Sequence, residues 1–245
     1  MNSNTVCIYD GPSQLTGHQR VIALVTGYAH KSANTKTGGE MLQGFILSAA
    51  APPRVAAQTG ADAAVCGSCK LRPVLQKIMS RDPDKKLPCY VDLVRGAGMA
   101  WRSWKAGNIW NISPAAAGAK APYPLRAGAY GDVAAVPLHI WDAFENASPY
   151  KTGTSYTHAW AAAPEHAAYS MASIDPVNHP DIRASLDKAH ALGFRTYRVD
   201  SKRNPIGLLE GEIYCPEQTR GITCSSCLLC AGNRISAKNI VIDQI

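Results

Sequence analysis

The sequence predicts an α/β protein built on a partial or irregular parallel β/α barrel, with a Cys-rich metal-binding segment at the C-terminus. Three observations carry this expectation. From Leu125 onward, β-rich runs alternate with helix-like runs, and parallel neighbouring strands need a crossover of roughly a dozen residues, usually helical. Gly-rich and polar turns punctuate the ends of those runs. Four of the eight cysteines, Cys215, Cys224, Cys227 and Cys230, crowd into "CPEQTRGITCSSCLLC". Fewer than eight β/α units are visible, so the barrel is expected to be incomplete rather than closed by eight repeats.

In chain order, "VIALVTGYAH" and "EMLQGFILSAA" read as strands around the polar loop "KSANTKTGG". "PPRVAAQTG" suits a short apolar helix. "VCGSCKLRPVLQKIMSRDPDKKLPCYVDL" frames a charged, proline-containing insertion with three cysteines. "GAGMAWRSWKAGNIW" reads as a helix with its tryptophans on one face. "PAAAGAKAPYP" has the Pro, Gly and Ala content of a linker.

The second half is more regular. "LRAGAYGD" is a strand ending in a Gly-rich turn, and "VAAVPLHIWDAFENA" is a helix. "KTGTSYTHAW" and "AAYSMASID" are short strands. "HPDIRASLDKAHALG" is a helix with Ile182, Leu186, Ala189 and Leu192 at helical spacing and Gly193 at its end. "FRTYRVD", "EIYC" and "KNIVIDQI" are strands. The organisation expected is a β-rich segment over 1–60, a barrel-like body over 61–230 carrying the first cysteine group, and a cysteine tail with a closing strand over 212–245, all within one compact unit.

Composition narrows the function classes. A chain of 245 residues that is 46% hydrophobic can bury a core without disulfide staples. The first twenty residues lack a basic stretch followed by an apolar run, and no later window holds eighteen consecutive apolar residues. The expectation is a cytoplasmic protein with no membrane partner. In a reducing compartment, clustered cysteines point to metal ligation or thiol chemistry. The net charge of +7 permits a nucleic acid or a phosphorylated small molecule as partner, although the basic residues are scattered.

The tail reads C-x8-C-x2-C-x2-C. Two thiolates separated by two residues can grip one centre, because the tight turn between them points both sulfurs inward. Three in succession at that spacing resemble the run that wraps a [4Fe-4S] cubane, while a four-cysteine zinc site stays open as the alternative. The earlier group is Cys66, Cys69 and Cys89, C-x2-C-x19-C. Three ligands would leave one coordination position free for chemistry. Cys89 as an ordinary strand cysteine is the other reading. Two iron–sulfur centres would lower the net charge to about +4.

In parallel β/α folds ligands sit at the C-terminal ends of strands. That rule gathers Tyr130, Gly131 and Asp132, Thr157 and His158, Ser173 and Asp175, Arg198 and Asp200, and Cys215 around one mouth. His158, Asp132 and Asp175 are the candidate catalytic residues, with His158 the best acid or base because imidazole titrates near neutrality. Tyr130, Arg198 and the loop residues Asn34, Lys36 and Thr37 are candidate cofactor contacts. The loop offers backbone N–H groups to an anion but lacks the spacing of a P-loop. Asp175 before Pro176 and Asp181 before a helix also suit turn and cap roles. No G-x-S-x-G, H-E-x-x-H or zinc-deaminase combination occurs.

"SANTKTGGEM", "VCGSCK" with "CYVDL", "AWRSWKAG", "RAGAYGD", "SYTHAW", "GFRTYRV" and the tetracysteine tail stand in an order that resembles a family of phage and mobile-element proteins, the gene-product-eighty-eight-like group, from about Asn34 to the end. The resemblance implies a phage protein acting in the cytoplasm of an infected bacterial host and transfers no activity. The three-then-four cysteine count, the barrel and the aromatic Tyr90 after Cys89 also resemble radical S-adenosylmethionine enzymes. In those, an open three-cysteine cluster binds the cofactor and an auxiliary cluster lies near the C-terminus. The C-x3-C-x2-C loop of that family is absent here. The function expected is therefore an iron–sulfur protein with a barrel-mouth site, against zinc-stabilised nucleic-acid binding or a non-enzymatic host-interaction factor.

Overall fold

A computed structural model describes residues 3–75, 89, 91–150, 152–201 and 205–243. Most of the charged insertion between Cys69 and Cys89, together with Tyr90, lies outside the described residues. Among the described residues the chain is a mixed α/β structure with two five-stranded sheets that both contain parallel pairs.

The first sheet begins with a meander. Strands β1 (Thr5–Pro12), β2 (Arg20–Thr26) and β3 (Leu42–Ser48) pair antiparallel. Every residue of β3 is buried, as expected of a central strand covered on both faces. Between β2 and β3, Thr35–Thr37 form a 3-10 turn closed by Gly38 and Gly39, at φ 63° and 74°. Helices α1 (Pro53–Thr59), α2 (Ala63–Cys66) and α3 (Gly96–Lys105) follow β3. Strand β4 (Trp110–Asn111) adds to β1, and β5 (Leu125–Tyr130) runs parallel to β3.

Two expectations change here. The tryptophan helix stops at Lys105, and Trp110 stands on the edge strand β4 with 73% of its surface exposed. Gly107, at φ 78°, turns the chain out of the helix. "PAAAGAKAPYP" is not a linker: Pro114–Ala119 form helix α4, with Ser113 Oγ capping Ala116 N–H. Its small residues serve close packing. A Cβ on Gly118 would lie 2.0 Å from the carbonyl oxygen of Phe144, in helix α5 (Leu138–Ala147).

The second sheet is entirely parallel, in the order β6 (Tyr156–Thr157), β7 (Met171–Ile174), β8 (Thr196–Asp200), β10 (Asn239–Asp243), β9 (Glu212–Tyr214). Helix α6 (Ile182–Ala191), capped by Asp181 and followed by Gly193 at φ 82°, buries Ile182, Leu186 and Ala189 with Ala172 and Ile174. The opposite face packs Met171 and Ile240 with Cys230, Tyr156, Tyr197, Ile213 and Cys215. The tail contributes α7 (Pro216–Arg220) and α8 (Cys224–Cys227). A parallel bridge from Arg126 to Thr154 joins β5 to the approach of β6, with reciprocal backbone bonds of 2.9 Å. Among the described residues no helix is long and apolar enough to cross a membrane.

Candidate functional site

The C-terminal ends of β5, β6 and β7 meet the end of α2. Gly131, at φ 83°, turns the chain after β5, where a Cβ would lie 2.5 Å from the Ile46 carbonyl oxygen. The next amide, Asp132 N–H, donates to Val65 O at 2.6 Å and ties β5 to α2. The Asp132 carboxylate accepts from Ala134 N–H at 3.0 Å, His158 N–H at 2.7 Å and Ala159 N–H at 3.2 Å. Those bonds occupy it as the organiser of the turn after β6.

His158 is held in reach of two partners. Its Nε2 lies 3.2 Å from Ser173 Oγ and 3.6 Å from Asp175 Oδ2, and its side chain keeps 31% of its surface exposed. Asp175 is buried and accepts from Val177 N–H, Asn178 N–H and Asn178 Nδ2–H at 3.0, 2.9 and 2.8 Å. Burial pushes this carboxyl up, but the bonds from His158 and Asn178 outweigh it and hold it at about 2.

Asn178 carries the connection further. Its Oδ1 accepts from Lys70 N–H at 2.7 Å, and its Nδ2 donates to Cys69 Sγ at 3.7 Å. A continuous polar chain therefore runs from His158 through Asp175 and Asn178 to the first cysteine group. Sequence reasoning missed Asn178; the trace of it is the D-P-x-N order, an Asx turn that presents the amide side chain.

Cys66 closes α2, and Cys69 N–H donates back to Cys66 O at 3.1 Å, the tight turn expected of C-x2-C. Arg72 staples this loop from within, donating to Asp62 Oδ1, Gly67 O and Gly60 O at 2.7 to 3.0 Å. Burial raises the Cys66 thiol well above its usual range and Cys69 to about 11, and raises Cys89; Cys66 lies within electrostatic range of both other cysteines.

The tail forms a second neighbourhood. Cys215 follows β9 and donates its N–H to Val241 O at 2.8 Å, while Cys230 O accepts from Ser155 N–H at 2.9 Å. Cys230, raised to about 12 by burial, feels Cys215, Cys224 and Cys227. Leu228, between Cys227 and Cys230, has φ 51°, a left-handed conformation that costs a branched side chain energy and that clusters at functional sites. Arg195, which sequence reasoning also missed, donates to Leu229 O, Ala231 O, Ala237 O and Lys238 O and fastens the tail to β8.

The 34–39 loop sits against this tail rather than beside His158. A Cβ on Gly38 would lie 3.2 Å from Ser225 Oγ. Thr37 is buried and donates to Asn34 O at 2.8 Å, and Lys36 is exposed. Arg198 stands apart too: fully buried, it pairs with Glu212 at 2.7 Å and Asp200 at 3.2 Å on the α6 side of the sheet. A depression of about 320 Å³ on that side lies between α6 residues Arg183, Asp187 and His190 and the segment of Leu209, Glu210 and Glu212, and none of the residues around His158 lines it.

None of the eight cysteines is paired in a disulfide. Among the described residues, no three His, Cys, Asp or Glu side chains converge closely enough to hold one metal ion. Comparison with family models, with curated proteins and with solved structures gave no match.

Proposed function

We propose that this chain is a cysteine-ligated metal-cluster protein of phage type, with a reaction site at the ends of β5, β6 and β7. The supporting observation is the polar chain from His158 through Asp175 and Asn178 to Cys69, which couples an acid–base group to a three-cysteine group. Cys66, Cys69 and Cys89 would hold an open centre, and Cys215, Cys224, Cys227 and Cys230 a closed one. The donor chemistry fits: buried thiols resist ionisation alone, and a cation reverses that balance. Loading requires the sulfurs of each group to draw closer together than they stand among the described residues.

An iron–sulfur cluster, when bound, supplies electron transfer and one open iron position. The chain's own part is to place His158 as proton donor or acceptor, with Asp175 and Ser173 orienting the imidazole and Asp132 fixing the turn that carries it. The bridge between β5 and Thr154 supports a curved, barrel-like run of strands around this mouth. A phosphorylated or otherwise anionic small molecule suits the basic surface.

Anaerobic purification followed by iron, acid-labile sulfide and zinc analysis tests this reading. Brown protein with iron and sulfide supports it. Colourless zinc protein would instead favour a structural metal and nucleic-acid binding, which exposed Trp110 and the exposed Arg102 and Lys105 of the preceding helix also suit. Protein with neither metal overturns both.

A further inference from the structure

Tyr130 ends β5 as a buried residue, 5% exposed, and its hydroxyl has no hydrogen-bond partner among the described residues. Buried polar groups are almost always paired, so an orphan phenol needs an acceptor. The bond from Asp132 N–H to Val65 O sets the end of β5 against the Cys66 end of α2, and Tyr130 feels Cys66, Asp62, Cys89 and Arg72. A neutral thiol is a weak acceptor, whereas a thiolate is a strong one. Asn178 spends one amide hydrogen on Asp175 and aims the other at Cys69 Sγ. One neutral donor thus already reaches a sulfur of the group, and a second, unpartnered one ends the strand that is tied to α2.

We propose that Tyr130 and Asn178 are the hydrogen-bond donors to the sulfurs of the Cys66, Cys69 and Cys89 group when it binds a metal as thiolates. This rests on the metal-cluster reading above. Such donors outside the ligand sphere orient ligands and tune the centre, and their loss commonly costs 10- to 100-fold in metal affinity. The tail centre should not respond, because its thiols lie in a separate neighbourhood with their own supports.

Metal-free protein titrated with Co²⁺ against a competing chelator tests the idea, with Cys66→Ser and Cys230→Ser assigning the two sites. Tyr130→Phe is expected to weaken the first site about 10-fold, to shift its thiolate-to-cobalt absorption, and to leave the tail site unchanged. Asn178→Ala should act in the same direction. Metal-free Tyr130→Phe should melt no lower than the parent, since it removes an unpaired buried hydroxyl. Wild-type affinity and band position in both variants, or a metal-free Tyr130→Phe that melts well below the parent, overturns the proposal while leaving the cluster reading intact. Failure of the parent to bind Co²⁺ through Cys66 overturns the reading itself and the proposal with it.

Discussion

The two faces of the parallel sheet use polar residues in opposite ways. On the α6 side, Arg198, Glu212 and Asp200 form a buried ionic network, and Asp200 and Glu212 also accept from the amides of Ile206, Gly207 and Leu209. That network binds residues 205–212 to the sheet. On the other side, Ser173 lies opposite Tyr197, and Tyr197 opposite Ile240, beside His158 and Asp175. There the carboxylate is saturated, yet the imidazole remains half-open. One face spends its charges on holding the fold; the other leaves an imidazole partly exposed beside a buried carboxylate.

Four substitutions would break or sharpen this contrast. The largest effect is expected at the tail that covers the open face. Cys227→Ser should remove the rise in melting temperature that metal binding at the tail adds, because metal-binding energy there adds to folding energy. A variant whose melting temperature rises with Co²⁺ as much as the parent's would defeat that expectation.

Next comes Arg198→Ala, which strands Glu212 and Asp200 as buried charges and should cost about 3–5 kcal/mol in urea unfolding. A loss near zero would mean that the network is not closed in the way described.

Asp175→Asn should cost about 2 kcal/mol at neutral pH, the equivalent of a carboxyl held at about 2 against an ordinary 3.8. Because the folded value is the lower one, this stability is present above about pH 4 and fades as pH falls towards 2. Urea unfolding at pH 7, 3.5 and 2 should therefore show the gap narrowing by only about a quarter at pH 3.5 and mostly closed at pH 2.

His158→Ala should be the mildest, costing about 1 kcal/mol, because it removes one of the contacts that hold the buried Asp175 carboxylate while those from Asn178 remain. A loss as large as that of Asp175→Asn would mean that His158 alone holds the carboxylate.

Part of the site was legible from sequence. The turn after each strand placed Asp132, His158 and Asp175 near one another, since parallel β/α connections leave strand ends together. Arg198 was grouped with them on the same ground and belongs to the other face. Strand alternation explains the difference: Arg198 faces away from Tyr197, and only the pairing of Ser173 with Tyr197 shows which side His158 shares. The 34–39 loop carried an anion-binding look but no sign of its partner, which lies nearly two hundred residues away.

What the sequence by itself determined are the local elements: the buried strands β3 and β7, the amphipathic helix α6 with its Asp181 cap, and the tight C-x2-C turns. These depend on periodicity and backbone preference within a few residues. Only the tertiary structure decided the strand order β8, β10, β9, the reach of Asn178 to Cys69 and the bond from Asp132 N–H to Val65 O that sets the end of β5 against α2. Such contacts join segments far apart in the chain, and which of them form is set by register and by the closure of long loops, neither of which leaves a local mark in the residues.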